Sequence, residues 1–218
     1  MTPPIHTVLF DLDGTLLDSI QLILGGFHEM MRVHKGSVPA DALWLRGIGT
    51  PLRNQIAEFA EDGAEAERMR ATFAEYNVRH HQELARAYPG VVRVVQVLHA
   101  AGIRLGVVTS KKRRGAFRGL DTMGLRKEFA AVVGVDDVSH PKPHPRPVLQ
   151  ALELLDADPE TAVFVGDSSH DMASGRAAGV RVGAVLWGPF SREALAPYEP
   201  TYWFERPSEL LPVLLPGR

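Results

Sequence analysis

The feature that most constrains this chain is a recurring pair of segments. A short apolar run stops at a polar residue, and a longer stretch of helical period follows. Val8-Leu9-Phe10 stops at Asp11, Leu105-Gly-Val-Val stops at Thr109, and Val163-Phe164-Val165 stops at Gly166-Asp167. Uninterrupted apolar runs suit strands covered on both faces, and parallel strands need crossover helices between them. The fold class predicted is therefore α/β with a parallel sheet.

The pattern predicts strands at 7–10, 105–109, 130–134, 162–165, 181–186 and 201–204, and helices at about 91–101, 113–123, 145–155, 170–178 and 207–214. A further helix starts near Asp18 or Ser19, where Asp18 and Gln21 resemble a capping box. Ile20, Ile23, Leu24, Phe27 and Met31 continue it at helical spacing. From about 40 to 87 no strand is read. Leu52, Ile56 and Phe59 fit one amphipathic helix; Met69, Phe73, Tyr76 and His80 fit another. Residues 34–51 are looser, with Gly36, Pro39, Gly47, Gly49 and Pro51. This region reads as a helical unit inserted into the α/β pattern.

The 218 residues allow one large domain, or a core with a smaller appendage. Lysine plus arginine is 24 and aspartate plus glutamate is 26, so the formal charge is 24 − 26 = −2. That balance does not suggest a nucleic-acid partner. The absence of cysteine excludes disulfides and thiolate metal sites. No run reaches the length of a membrane span, and no basic start precedes a long apolar stretch, so a cytoplasmic protein is expected.

Phe10-Asp11-Leu12-Asp13-Gly14-Thr15-Leu16 places two carboxylates at the end of the first strand. Open parallel sheets bind ligands at the carboxyl ends of their strands, so Asp11 projects into a site. Asp13 follows where the chain turns at Gly14, and strand alternation alone does not place it. Neighbouring carboxylates repel unless a cation or a shared proton intervenes. An EF-hand calcium loop would need an acid at its twelfth position, which counted from Asp11 is Leu22. If the pair stood alone, a polar strand end would remain open.

Thr109 and Ser110 end the next apolar run. Hydroxyls and the backbone N–H groups after them can bind phosphate at a helix N-terminus, though such a pair also serves as a plain cap. Pro141-Lys142-Pro143-His144-Pro145 presents a lysine between prolines, either a cation for a phosphoryl oxygen or an exposed loop residue. Asp167 ends a third run, and Asp171 follows within a turn. Such oxygen ligands suit Mg²⁺, while Asp167 could instead cap a helix. Each signal lies at the carboxyl end of a predicted strand, and their coincidence is far less expected by chance than any one.

Together these segments resemble the haloacid dehalogenase superfamily of phosphatases over nearly the whole chain. Asp11-Leu-Asp13-Gly-Thr15 is similar to its first motif and Thr109-Ser110 to its second. Lys142 in Lys-Pro-His-Pro is similar to the third, and Gly166-Asp167-Ser-Ser-His-Asp171 to the fourth. Tyr88-Pro89-Gly90-Val91 fits the return to the core. The resemblance implies a Rossmann-like core of residues 1–17 and 88–218 with an inserted all-α helical cap of residues 18–87. It implies Asp11 as nucleophile, with Mg²⁺ held by the Asp11 carboxylate, the Asp13 backbone carbonyl and the Asp167 carboxylate. Thr109, the Ser110 backbone and Lys142 would hold the phosphoryl group, and Asp171 would support the site.

The chemistry suits these residue types. A carboxylate is ionised at pH 7 and needs no base to activate it. Its attack gives an aspartyl-phosphate. Asp13 would give a proton to the leaving oxygen and later take one from water. Dehalogenases of the superfamily lack that acid, so Asp13 favours phosphoryl transfer.

Arg46-Gly47-Ile48-Gly49-Thr50-Pro51-Leu52-Arg53 resembles phosphoglycolate phosphatases and a pyrophosphatase branch. Gly49 backbone can approach an anion closely, and Arg46 or Arg53 could bind a carboxylate or second phosphate. The bland alternative is that both arginines are solvated. His80-His81 and Asp136-Asp137-Val-Ser-His140 look closest to the pyrophosphatase branch. Neither has a zinc spacing, and surface or cap–core contact is expected for the histidine pair. His170 receives no role. The expected substrate is a small doubly anionic compound, phosphoglycolate or inorganic pyrophosphate. The rivals are a sugar-phosphate phosphomutase on the same core and a non-catalytic regulatory binding protein. Oligomeric state is not fixed by the sequence.

Overall fold

A computed structural model describes residues 3–215 of the chain. The first part comprises β1 (Thr7–Phe10), β2 (Leu17–Asp18), α1 (Ile20–Lys35), α2 (Asp41–Leu45), α3 (Leu52–Ala57), α4 (Gly63–Leu84) and β3 (Arg86–Ala87). There follow α5 (Val91–Ala100), β4 (Arg104–Val108), α6 (Arg113–Met123), β5 (Ala131–Val133), α7 (Arg146–Leu154) and β6 (Ala162–Gly166). The chain continues through α8 (Ser169–Ala177), β7 (Arg181–Val185), α9 (Arg192–Leu195), β8 (Tyr202–Phe204) and α10 (Leu210–Leu214).

Six strands form a parallel sheet in the order β5-β4-β1-β6-β7-β8. The apolar runs explain it, since β1, β5 and β6 are buried throughout and β4 and β7 are buried beyond their first residue. Val8 and Phe10 of β1 pack with Leu105, Val107, Val163 and Val165 under α5, α6 and α10. Leu9, Val108 and Phe164 point the opposite way, toward Val148, Ala151 and Leu152 of α7. Burying such a side chain contributes about 1.5–3 kcal/mol, which is why strands this short hold their register.

Helices α1–α4 form the inserted cap and have a core of their own. Phe27, Met30, Trp44, Ile56, Met69 and Phe73 fill it, and Phe27 stacks on Trp44 with ring centroids 4.4 Å apart. The stretch expected to be loose contains α2, which seats Trp44. One five-residue turn is too short to show a period. The strand-free reading of the region also fails at its end. β3 pairs antiparallel with β2, and this two-stranded link joins cap to core. Neither two-residue strand could show alternation.

The capping box expected at Asp18 does not form. Ser19 is the N-cap residue of α1, with no side-chain cap hydrogen bond. Its hydroxyl donates to Asp13 Oδ1 at 2.5 Å instead, and Asp18 meets Arg86 across the link at 3.5 Å. Among the described residues, no helix is long and apolar enough to cross a membrane.

Candidate active site

Register brings the motifs together. Phe10 lies opposite Val107 on one side and Val165 on the other, so the strand ends align. The ladder runs on through Asp11 N–H to Val165 O and Thr109 N–H to Val133 O, both at 2.9 Å. Asp11, Thr109, Lys142, Asp167 and Asp171 are all buried.

Lys142 stands at the centre. Its ammonium donates to Asp11 Oδ1 at 2.9 Å, Asp171 Oδ1 at 2.6 Å and the Val108 carbonyl at 3.2 Å. Burial opposes its charge, but Asp11 and Asp171 outweigh it and hold the ammonium well above the ordinary lysine range. Asp171 is fully engaged. Its Oδ2 accepts from Ser168 N–H at 2.9 Å and from the Ser168 hydroxyl at 2.6 Å. The N-cap of α8 is thus Ser168 rather than Asp167, which leaves Asp167 directed into the site.

Asp167 Oδ1 accepts from the Thr15 hydroxyl at 2.9 Å. Its Oδ2 is buried without a hydrogen-bond partner. Carboxylate oxygens of Asp11, Asp167 and Asp171 lie within 4.8 Å of one another. With all three ionised, Lys142 leaves a buried charge of 1 − 3 = −2. Burial, with Lys142 opposing and Asp171 adding, pushes Asp11 up to about 7. Burial, then Asp11 and Asp171, raises Asp167 well above the carboxylate range. An unmatched charge of −2 and an orphaned oxygen fit a divalent cation between Asp11 and Asp167. Asp171, with both oxygens engaged, is suited to a supporting place.

The backbone packs closely against Asp167 at two glycines. Gly14 adopts φ +87°, and a Cβ there would lie 2.5 Å from Asp167 Oδ2. Gly188 also packs on Asp167, where a Cβ would lie 2.5 Å from Asp167 Cβ, and the adjoining Trp187 donates its indole N–H to the Thr15 carbonyl at 2.9 Å.

Asp13 turns away from this buried group. Its Oδ1 accepts from Ser19 and, at 2.5 Å, from the Lys111 ammonium. This pair is more open: the Asp13 and Lys111 side chains are 15% and 22% exposed.

The cap reaches the core motifs through Gly49. Its carbonyl accepts from the Ser110 hydroxyl at 2.6 Å. At φ +95° it lies so close that a Cβ would sit 2.9 Å from Ser168 Oγ and 3.1 Å from His170 Nδ1. Thr50 Oγ1 is 3.4 Å from His170 Nε2. Burial lowers the pKa of His170, with Asp171 opposing and Lys142 adding. Arg46 and Arg53 are exposed. Of the histidine pair, His81 is buried and meets Thr122 of α6 at 3.0 Å, a cap–core contact, while His80 packs on Tyr76.

Sequence reasoning did not single out Thr15, Ser19, Lys111 or Ser168 as partners of the acids. Only Ser168 left a local signal, the Ser-x-x-Asp spacing of a capping box. Thr15 and Lys111 act across 152 and 98 residues, and Ser19, six residues from Asp13, falls at no motif spacing.

Residues 8–185 match the family described as haloacid dehalogenase-like hydrolase. The chain belongs to this family. A pyrophosphatase PpaX of Bacillus cereus is 39% identical to this hydrolase over 210 residues, spanning 96% of each chain. A haloacid dehalogenase-like hydrolase from Bacteroides fragilis superposes with TM-score 0.88 at 26% identity, covering 94% of this chain and 99% of that one. A candidate phosphoglycolate phosphatase from Lactobacillus plantarum gives TM-score 0.85 at 25% identity, covering 96% and 99%. The resemblance read from the motifs is borne out, as is the Rossmann-like core with its helical cap. The chain is an enzyme, a phosphatase of the haloacid dehalogenase type.

Proposed function

We propose that this enzyme hydrolyses a small phosphate ester or anhydride, with inorganic pyrophosphate or phosphoglycolate as substrate, through an aspartyl-phosphate on Asp11. The observation that carries the reading is the buried cluster of Asp11, Asp167 and Asp171, whose carboxylate oxygens lie within 4.8 Å of one another, with the Lys142 ammonium on Asp11 and Asp171. Likeness to a pyrophosphatase over 96% of the chain supports the anhydride, and the likeness to a candidate phosphoglycolate phosphatase supports the ester.

In this reading the Asp11 and Asp167 carboxylates and the Asp13 backbone carbonyl hold Mg²⁺. The ion supplies charge neutralisation that lets an anionic phosphoryl group meet an anionic nucleophile. Lys142 steers Asp11 by its hydrogen bond and adds a positive charge beside the phosphoryl oxygens. Asp171, fixed by Ser168, holds Lys142 in place. Thr109 and the Ser110 backbone bind phosphoryl oxygens. Asp11 Oδ attacks phosphorus, and the leaving oxygen departs with a proton from Asp13. Asp13 then takes a proton from the water that hydrolyses the acyl phosphate. Gly49 and its neighbours seal the site while this occurs, and residues 18–87 act as the cap over a core of residues 1–17 and 88–218. The outermost residues, 1–2 and 216–218, lie outside the described residues. A cytoplasmic location suits a small-metabolite phosphatase.

A panel of phosphorylated metabolites assayed for phosphate release with Mg²⁺ tests this. Pyrophosphate or phosphoglycolate should be turned over best, and chelator should abolish release. Preference for sugar phosphates or nucleotides over both would refute the substrate assignment. Little free phosphate with dependence on a bisphosphate would instead indicate a mutase.

A further inference from the structure

Lys111 has no part in the buried acid cluster, yet its placement is specific. Its ammonium lies 2.5 Å from Asp13 Oδ1, and Ser19, the N-cap residue of α1, shares the same oxygen. Its main chain is pinned, the N–H donating to Thr109 Oγ1 at 3.2 Å and the carbonyl accepting from Val135 N–H at 3.0 Å. Its stem lies across Gly115 of α6. A Cβ on Gly115 would come within 2.9 Å of Lys111 Cγ and 3.1 Å of Cδ. Any larger residue there would push the stem aside. The fold thus keeps a path open for one lysine to reach Asp13.

The two cations of the site differ in what they can do. Lys142 is sealed between Asp11 and Asp171, with a side chain 2% exposed. Lys111 pairs with a single carboxylate at 22% exposure, and the neighbouring His81 carries a lowered pKa, through burial and then Lys111 itself. Lys111 is therefore the more accessible cation for an incoming anion, because its pair is part-buried rather than sealed and is made with one carboxylate rather than two.

We infer that Lys111 is a specificity-determining residue that exchanges Asp13 for the second anionic group of the substrate. It rests on the phosphatase reading and deepens it. A substrate with no anionic group beyond the transferred phosphoryl leaves Lys111 on Asp13. A doubly anionic one draws Lys111 onto its distal phosphate or carboxylate and frees the Asp13 carboxyl for the leaving oxygen. Selection for small double anions then follows from the core as well as from the cap.

The test compares kcat/KM for inorganic pyrophosphate and p-nitrophenyl phosphate, both with Mg²⁺, in wild type and in Lys111→Met. A charge-assisted contact implies a loss of about tenfold or more for pyrophosphate, mainly in KM. p-Nitrophenyl phosphate should lose several-fold less, because it brings no second anion to Lys111, so the ratio of the two substrates shifts toward it. Gly115→Ala is the second variant. Alanine favours the helix, so it folds, while its methyl displaces the Lys111 stem. It should shift the ratio of the two substrates in the same direction by a smaller factor. Equal losses for both substrates in Lys111→Met, or an unchanged ratio in Gly115→Ala, would overturn the inference. Failure of wild type to release phosphate from any phosphorylated compound would instead refute the phosphatase reading.

Discussion

Replacing Lys142 by methionine keeps the length of the stem and removes the charge. Two charge-assisted hydrogen bonds are lost, to Asp11 at 2.9 Å and Asp171 at 2.6 Å, in a site where Lys142 is 3% exposed. Removing one member of a buried ion pair costs about 3–5 kcal/mol, because the remaining charge stays buried without its partner. At roughly 2–4 °C per kcal/mol for a chain of this size, the melting temperature should fall by about 6–20 °C at pH 8 without divalent cation. The sign with pH follows from Asp11. Its pKa is already pushed up to about 7, and Lys142 is the group that draws it down. As pH falls, Asp11 takes up a proton and the repulsion among the acids fades. The loss at pH 5 should therefore be smaller than at pH 8. Thermal unfolding followed by circular dichroism at both pH values checks this. A shift under about 2 °C at pH 8, or an equal loss at both, would show that Lys142 contributes packing rather than charge compensation.

The same electrostatics set the response to Mg²⁺. With Asp11 at about 7 against an unfolded value of 3.8, the native state binds the proton more tightly, so metal-free stability declines as pH rises from about 4 to about 7. A cation that replaces that proton should raise the melting temperature more at pH 8 than at pH 5, and the reverse order would contradict the charge assignment. Gly49→Ala would force a side chain into φ +95° and against Ser168 and His170. The strain of about 1–3 kcal/mol should unseat the cap loop and lower kcat/KM by about fivefold or more, while the melting temperature falls by no more than about 2–12 °C. Steady-state kinetics and a melting curve on the one variant decide it.

Much of the core was legible in the chain because the central parallel strands are buried on both faces and so carry continuous apolar runs. Phe10, Val107 and Val165 mark the strand ends that the register aligns, and the residues just beyond them supply the acids and Thr109. Lys142 was legible as a rigid cation but not as the centre of the acids, since its partners lie 131 and 29 residues away. The β2–β3 link was not legible, because Leu17-Asp18 and Arg86-Ala87 carry no alternation and pair only across the whole cap. Asp18 gave a false capping signal for a related reason. Ser19 became the cap residue, and its hydroxyl was drawn to Asp13 by tertiary contact rather than by the helix. The cap arginines were conspicuous in sequence, yet it is the glycine between them that meets the core.

Attack of Asp11 on phosphorus is the step that every other role in the site serves. It is tested most directly by acid-quenching the enzyme during turnover of pyrophosphate, reducing with borohydride, and mapping the product by mass spectrometry. Reduction of the acyl phosphate should appear at Asp11 alone, and Asp11→Asn should show neither that product nor measurable turnover. An unmodified Asp11 in the active enzyme, or full activity in Asp11→Asn, would contradict the account.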